Sequence, residues 1–442
     1  MKKISLSFVL SALAVFAIAQ QPVKLSLNEA IDYAVKNQPA FQNYRVDQQI
    51  ASAKGLEATG KYLPKLNGTF DLRDNLKLGQ IVLKFPNPIT GLDEQRTIQQ
   101  GTKYSSTAGV DLTQPIVDMA AISDMKYVKQ QQQLSNVQLQ QAMVDLKMSV
   151  SRTYYLALLN TERVKKAQKS VERNQKAYED TKVRYDNQNA LKSDMNRAYL
   201  NLSNAKYQLK VAQDSVKTAA LSLAQVIGLP LDSKLELADA LPVDIKTETL
   251  PEYPDYKFAE ANRVELKAEG MQQQLNTLQL KKINYGYIPT LAGYGYIGGQ
   301  GLDNDNVFRK DGWFWNSYIG LRLTLPIFDG LQKVSLANQQ KLLITKNENN
   351  LRTLRNTVNY QLQSSLVNYA NAASSLQLIK DNVALAEDVV KDVTVRYANA
   401  VATYQDVLDA ENTLKETEFN YLQSLYAFLL AELDWKKANG KL

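Results

Sequence analysis

No cysteine and no histidine occurs anywhere in the 442 residues. Without either, the chain has no disulfide framework, no Cys or His zinc site, no thiol nucleophile and no Ser-His or Cys-His catalytic pair. Most hydrolytic and redox chemistry is set aside by that absence, so the chain is expected not to be an enzyme and to need neither a cofactor nor a dedicated metal site. A strong excess of one charge is also lacking. The 52 basic residues stand against 45 acidic ones, a mild balance spread along the chain that argues against a nucleic-acid partner. Proline is missing from residues 119–187 and 331–398, and Gly330 falls just before the second of these stretches.

Long uncharged apolar runs are scarce as well, and the first nineteen residues, MKKISLSFVLSALAVFAIA, hold the clearest one. Lys2 and Lys3, the apolar run and the small residues Ala17-Ile18-Ala19 read as a secretory signal at 1–19, cut before Gln20. The run is short for a bilayer span, and the absence of a following cysteine leaves no acceptor for lipid attachment. Removing the two signal lysines leaves 50 basic against 45 acidic residues, a net charge of +5. What remains, at 45% hydrophobic residues, is enough for a large core or for two to three ordinary domains.

What is present is a duplication. YLPKLNG (62–68) recurs as YIPTLAG (287–293), GVDLTQPIVD (109–118) as GLRLTLPIFD (320–329), and VRYDN (183–187) as VRYAN (395–399), with offsets of 225, 211 and 212. The drop from 225 to 211 gives the first copy 14 extra residues between its first two elements, expected to sit in a loop. Pro230, Pro242, Pro251 and Pro254 crowd the stretch between the copies and mark a connector at 228–256. The first repeat is thus expected over 20–227 and the second over 257–442.

Each copy has two textures. Residues 66–78, 104–113, 290–301 and 315–325 alternate apolar with polar side chains, with Asp74 breaking the first run and glycines blurring the third. They read as four strands with one apolar and one polar face. Their length suits the roughly nine to eleven residues that a tilted strand needs to cross a bilayer. The hairpins are expected over about 66–114 and 290–326. An open four-stranded sheet in lipid would leave its edge groups unpaired, so closure has to come from other copies of the chain; two copies give eight strands and three give twelve.

The proline-free stretches read as very long helices, roughly 100 Å each at 1.5 Å per residue. Helices and tips are expected over about 119–227 and 331–438. After each VRY element a second helix starts with apolar residues seven apart: Met195, Leu202, Leu209, Val216 and Leu223, then Val407, Leu414, Tyr421, Phe428 and Trp435. A strict seven-residue period calls for coiled-coil packing against neighbouring helices.

The paired YxPxL and LTxPIFD elements, the duplicated hairpin-and-helix layout and TYQDVLDAENTL (403–414) together resemble the TolC family of outer-membrane efflux proteins over essentially the whole mature chain. The resemblance implies a mostly α fold with a membrane β-barrel portion. It implies a homotrimer whose twelve strands form one barrel in the outer membrane of a Gram-negative bacterium and whose helices form a tunnel through the periplasm. The connector and the C-terminal end would make a belt around those helices. The implied function is that of a passive exit duct for efflux or type I secretion, docked through a periplasmic adaptor to an inner-membrane pump and seated in outer-membrane lipid. A structural or adhesive coiled-coil protein anchored by its hairpins is the alternative. A periplasmic adaptor would lack the duplication and the four alternating strands.

The resemblance also implies roles for particular residues. The two tips, Asn187, Gln188, Asn189, Ala190 and Leu191 in the first copy and Asn399, Ala400, Val401, Ala402 and Thr403 in the second, match the turns where an adaptor docks. A glycine usual in each turn is replaced by Gln188 and Ala400, so both turns need another route to the left-handed geometry that glycine makes cheap. The implied resting gate has a tyrosine and an arginine of the second tip reaching a threonine and an aspartate of the first. Tyr397, Ser193 and Asp194 fill three of those places, while Ala402 stands in the arginine's. Charge-assisted bonds of about 1.5 to 3 kcal/mol are lost with it, and a looser gate is expected. Asp406 and Asp409 differ by about 60° on a helix and share a face beside the Val407, Ala410 and Leu414 stripe. The resemblance places them at the narrowest point of the tunnel, where a trimer would gather six carboxylates favouring cations.

Overall fold

The computed structural model describes residues 23–86, 88–89, 91–242, 256–305, 313–399 and 401–442. The signal at 1–19, residues 243–255 of the connector and Ala400 lie outside the described residues. In chain order the elements are β1 (Val23–Leu25), α1 (Leu27–Asn37), α2 (Pro39–Gly60), β2 (Lys65–Asp74), β3 (Gly79–Pro86), β4 (Asp93–Gln100), β5 (Tyr104–Val117), α3 (Met119–Asp186) and α4 (Lys192–Ile227). Then follow β6 (Leu235–Leu237), α5 (Tyr256–Asn262), α6 (Val264–Tyr285), β7 (Thr290–Asp303), β8 (Trp313–Thr324), α7 (Gln332–Ala398) and α8 (Tyr404–Ala438). They form two units: Gln49–Leu134 with Met271–Asn349, and Met1–Gln48 with Ser135–Gly270 and Asn350–Leu442. Each unit draws on both copies of the duplication, so neither copy is a compact body by itself.

The first unit carries the sheet. Its four long strands run antiparallel in the order β2-β5-β7-β8, two from each copy, and the β5–β7 ladder joins the copies. Alternation sorts the side chains cleanly. Leu66, Leu112, Gly295 and Ile319 stand in one row across the strands, and Phe70, Ala108, Gly299 and Trp315 in another on the same face. Asn67, Asp111, Tyr296 and Tyr318 form a row on the other face. Among the described residues nothing covers the apolar face: Leu66 is 70% and Ile319 92% exposed. On the polar face the Tyr296 and Tyr318 rings stack at 5.5 Å, and Gly109 makes room for them, since a Cβ there would stand 2.5 Å from the Tyr296 hydroxyl. Among the described residues no strand pairs with the outer edge of β2 or of β8.

The expected first strand, 66–78, ends earlier than its apolar pattern does. β2 stops at Asp74, where Asn75 turns the chain by donating from its amide to Lys103 O at 2.7 Å and from Nδ2 to Thr102 O at 2.8 Å. The extra residues of the first copy are not a plain loop either. They form a hairpin of their own, β3 paired with β4 from Gly79↔Gln100 to Pro86↔Asp93. The consecutive Ile81, Val82 and Leu83, with Phe85 shortly after, favour extended backbone strongly enough to make a strand without clean alternation. Beside the sheet, the Asp124 carboxylate of α3 takes bonds from Lys61, the residue after α2, at 3.2 Å and from Lys282 of α6 at 2.6 Å.

The second unit is held by a helical core. All ten heptad residues of α4 and α8 are buried or half-buried, and Leu223, Leu425 and Phe428 pack with Tyr154 of α3 and Leu376 of α7. Helix α4 ends at Gly228, whose φ of 75° is the left-handed cap that glycine supplies. A Cβ there would stand 2.8 Å from Asn37 O, so no larger residue fits the turn. Short strands β1 and β6 pair in parallel, and the single Tyr154 hydroxyl proton lies between two acceptors, Leu25 O at 3.0 Å and Asp239 Oδ2, just past β6, at 2.9 Å. Charged pairs fasten α3 of the first copy to α8 of the second: Lys166 to Glu418 at 2.9 Å, Arg173 to Glu411 at 2.9 Å and Lys437 to Asp145 at 2.7 Å. Among the described residues no helix is long and apolar enough to cross a membrane.

Candidate functional site: the paired helix tips

Both tips use one scheme to reverse the chain. At the end of α3, Asn189 N donates to Arg184 O at 2.7 Å and Gln188 N to Tyr185 O at 2.9 Å, the pair of bonds that closes a Schellman turn. Gln188 adopts the left-handed conformation itself, with φ of 62°, at a steric cost of about 1–2 kcal/mol against glycine. At the second tip Val401 N donates to Arg396 O at 2.9 Å, the equivalent bond 212 residues on.

The helices that follow begin differently. α4 has Leu191 at its N-cap and no side-chain cap bond, whereas α8 has a complete capping box. Thr403 Oγ1 accepts from Asp406 N at 3.2 Å, and Asp406 Oδ2 accepts from the Thr403 amide at 2.8 Å and its hydroxyl at 2.7 Å. Those bonds, the hydroxyl's first, hold the Asp406 carboxyl below its ordinary range. Asp409, one turn on, accepts from Gln405 Nε2 at 2.9 Å. Both carboxylates are exposed while Val407, Ala410 and Leu414 are buried, as the helical spacing requires. They edge a groove of about 580 Å³ between α7 and α8, with Leu385 and Val389 opposite.

The expected gate residues are partly gathered. The Tyr397 ring lies 5.8 Å from that of Tyr404 and 4.7 Å under the Arg184 guanidinium, and Arg184 Nη2 donates to Ala398 O at 3.1 Å. Burial pushes the Tyr404 hydroxyl up to about 12; a bond from Asn201 works the other way, while Tyr397, Asp194 and Glu411 push it further up. Among the described residues no hydrogen bond joins Tyr397 to Ser193 or Asp194. Ala402, in the arginine's place, donates only its amide, to Arg396 O at 3.4 Å. Arg184, Arg197 and Gln405 emerge as tip residues that sequence reasoning did not single out. Arg197 donates from Nη1 to Gln405 Oε1 at 3.0 Å. A signal for it existed, because the offset of 212 makes Arg197 the counterpart of Asp409.

Comparison with known proteins agrees over most of the chain. The sequence pattern of the family described as Outer membrane efflux protein matches residues 30–229 and 256–441. The outer membrane protein TolC of Escherichia coli (strain K12) is 22% identical over 347 residues, covering 76% of this chain and 70% of that protein. The TolC of Vibrio cholerae serotype O1 is 22% identical over 236 residues, 52% of this chain and 53% of that protein. Among solved structures, the open state of the Neisseria gonorrhoeae MtrE outer membrane channel superposes with a TM-score of 0.75 at 17% identity, covering 94% of this chain and 88% of that one. The outer membrane protein VceC from Vibrio cholerae does so with 0.74 at 16% identity, covering 94% and 96%. At such identities the superpositions establish a shared fold.

Proposed function

This chain belongs to the outer membrane efflux protein family, and from that premise we propose that three copies assemble into one passive exit duct across the outer membrane and periplasm. The observation that carries the proposal is the sheet: four antiparallel strands that, among the described residues, have one uncovered apolar face and two unpaired edges. In lipid the apolar face is satisfied, and the edges are satisfied only by closure with neighbouring copies. Three copies supply twelve strands, the wider of the two closures and the one that leaves a generous water-filled lumen. The polar rows carrying Asn67, Asp111 and Thr69 then line that lumen.

The tips, at the periplasmic end, receive a periplasmic adaptor that links the duct to an inner-membrane pump. Leu191 and Val401, 69% and 74% exposed on the two turns, are the apolar points such a partner would cover. Asp406 and Asp409 form the narrow acidic ring, and Tyr397, Ser193 and Asp194 belong to the gate above it. The duct's part is conduction, and the pump chooses the cargo.

Two measurements test the proposal. The mass of the detergent-solubilised protein should be that of three chains, and planar-lipid recordings should show discrete channels. A monodisperse monomer, or membrane insertion without conductance, would sink it.

A further inference from the structure

The tips are joined by arginines, but not by one at position 402. Arg184, in the last turn of α3, donates to Ala398 O at 3.1 Å and covers the Tyr397 ring at 4.7 Å. Arg197, in the second turn of α4, donates to Gln405 Oε1 at 3.0 Å, and Gln405 Nε2 passes the link to Asp409 Oδ1 at 2.9 Å. One arginine grips the end of α7 and the other the start of α8, on either side of the second turn. Both come from the first copy.

We infer that Arg184 and Arg197 form an inverted latch, in which the first tip supplies the cations that hold the second tip shut, and that Arg197 acts through Gln405 as a positioning residue for Asp409. The inference rests on the duct reading and deepens it. Its physical basis is the asymmetry of the two copies. Position for position, the first copy presents Asp194 and Arg197 where the second presents Asp406 and Asp409. A perfect repeat would set two acidic turns against each other, and like charges so placed repel. Arg197 replaces that repulsion with a bonded chain and puts a positive charge two hydrogen bonds from the acidic ring. The Gln405 side chain is the coupling element: its amide accepts from the guanidinium on one side and donates to the carboxylate on the other, a polarity that fits one arrangement only. The contacts are solvent-exposed, so each shifts the closed state modestly, and the latch depends on both acting together.

Planar-lipid recording of the full assembly tests this, with Arg184→Met, Arg197→Met, Arg197→Lys, Gln405→Leu and the Arg197→Met/Gln405→Leu pair set against the parent. Arg184→Met, Arg197→Met and Gln405→Leu should each raise the ratio of open to closed time roughly two- to fivefold. The pair should do no more than either single change, because both remove one link, and Arg197→Lys should keep most of the closure. Arg197→Met should also move the reversal potential toward cations, which loss of packing alone would not do. Unchanged gating in Arg197→Met, or additive effects in the pair, would overturn the latch. If Asp409→Asn changes selectivity while no arginine variant changes gating, the duct stands and the latch falls. A parent that inserts without conducting removes both.

Discussion

Thr403 and Asp406 close on each other: the Asp406 carboxylate accepts from the Thr403 amide at 2.8 Å and hydroxyl at 2.7 Å, while the Asp406 amide donates back to Thr403 Oγ1 at 3.2 Å. One of the two aspartates assigned to the pore is therefore also the N-terminal lock of α8. Its two roles respond differently to substitution. Thr403→Ala should weaken the start of α8 by about 0.5–2 kcal/mol, whereas Asp406→Asn, which keeps an acceptor oxygen, should weaken it less. Amide hydrogen exchange in the first turn of α8 reads the difference. Equal exchange in Thr403→Ala and the parent would show that the cap contributes nothing there.

The same bonds fix a pH dependence. A carboxyl whose folded value is depressed contributes stability that is fully present above the ordinary value of 3.8 and is lost as pH falls through the lowered one. The first turn of α8 should stay protected at about pH 5 and loosen only in stronger acid. The corresponding turn of α4, with Leu191 at its N-cap, has no such lock and should exchange faster at every pH.

Glu418 occupies a buried place in the α8 stripe, bonded to Lys166 at 2.9 Å and 3.8 Å from Arg173. Glu418→Ala strands Lys166 between helices from different copies, while Arg173 keeps Glu411 at 2.9 Å, and should destabilise the assembly by about 1–3 kcal/mol, below the range for fully buried pairs because Lys166 is partly solvated. Glu418→Leu with Lys166→Leu should recover much of that loss. Denaturant melting of the detergent-solubilised assembly is the measurement, and equal midpoints for Glu418→Ala and the parent would refute it.

The sheet makes a prediction that depends only on which face a residue occupies. Ile319 and Asn316 lie three residues apart on β8 and on opposite faces. Ile319→Lys places a charge against lipid and should cost about 2–4 kcal/mol near the bilayer midplane, while Asn316→Lys faces the lumen and should be tolerated. Yield of the heat-modifiable assembly in membranes distinguishes them. Similar yields from the two variants would mean that the faces are assigned wrongly.

What could be read from the sequence follows from period and range. The four strands and the long helices declare themselves because alternation and heptads are local patterns, and the copies confirm each other. The early end of β2 at Asp74 and the β3–β4 hairpin were not legible, since Leu76 and Leu78 continue the apolar rhythm past the strand end while Ile81-Val82-Leu83 breaks it inside a true strand. Glu418 was hidden for a related reason, because a carboxylate on a core stripe reads as a fault until its lysine, 252 residues away, is brought beside it. At the tips, the absence of arginine at 402 was plain, but the Arg184 and Arg197 contacts that bridge the tips depend on how α3 and α4 pack against α7 and α8.

Asp409 gives the cleanest test of the acidic ring, because it is not the cap of α8 and its Gln405 bond survives in Asp409→Asn. If three copies bring Asp406 and Asp409 to one narrow opening, the ring concentrates cations and binds trivalent ones most strongly, through outer-sphere contacts with its oxygens. The parent should be cation-selective, and cobalt hexammine added from the tip side should block it. Asp409→Asn removes half of the ring's carboxylates without touching the capping box. It should weaken that block by about tenfold or more, since every lost charge acts on all three charges of the ion, and should reduce cation preference. Asp406→Asn should weaken the block as well. Raising ionic strength should erode the parent's block more than the variant's, because screening removes an attraction that the variant has already lost. Block and selectivity that survive in both variants would reduce Asp406 to a helix cap and Asp409 to a solvated helix face.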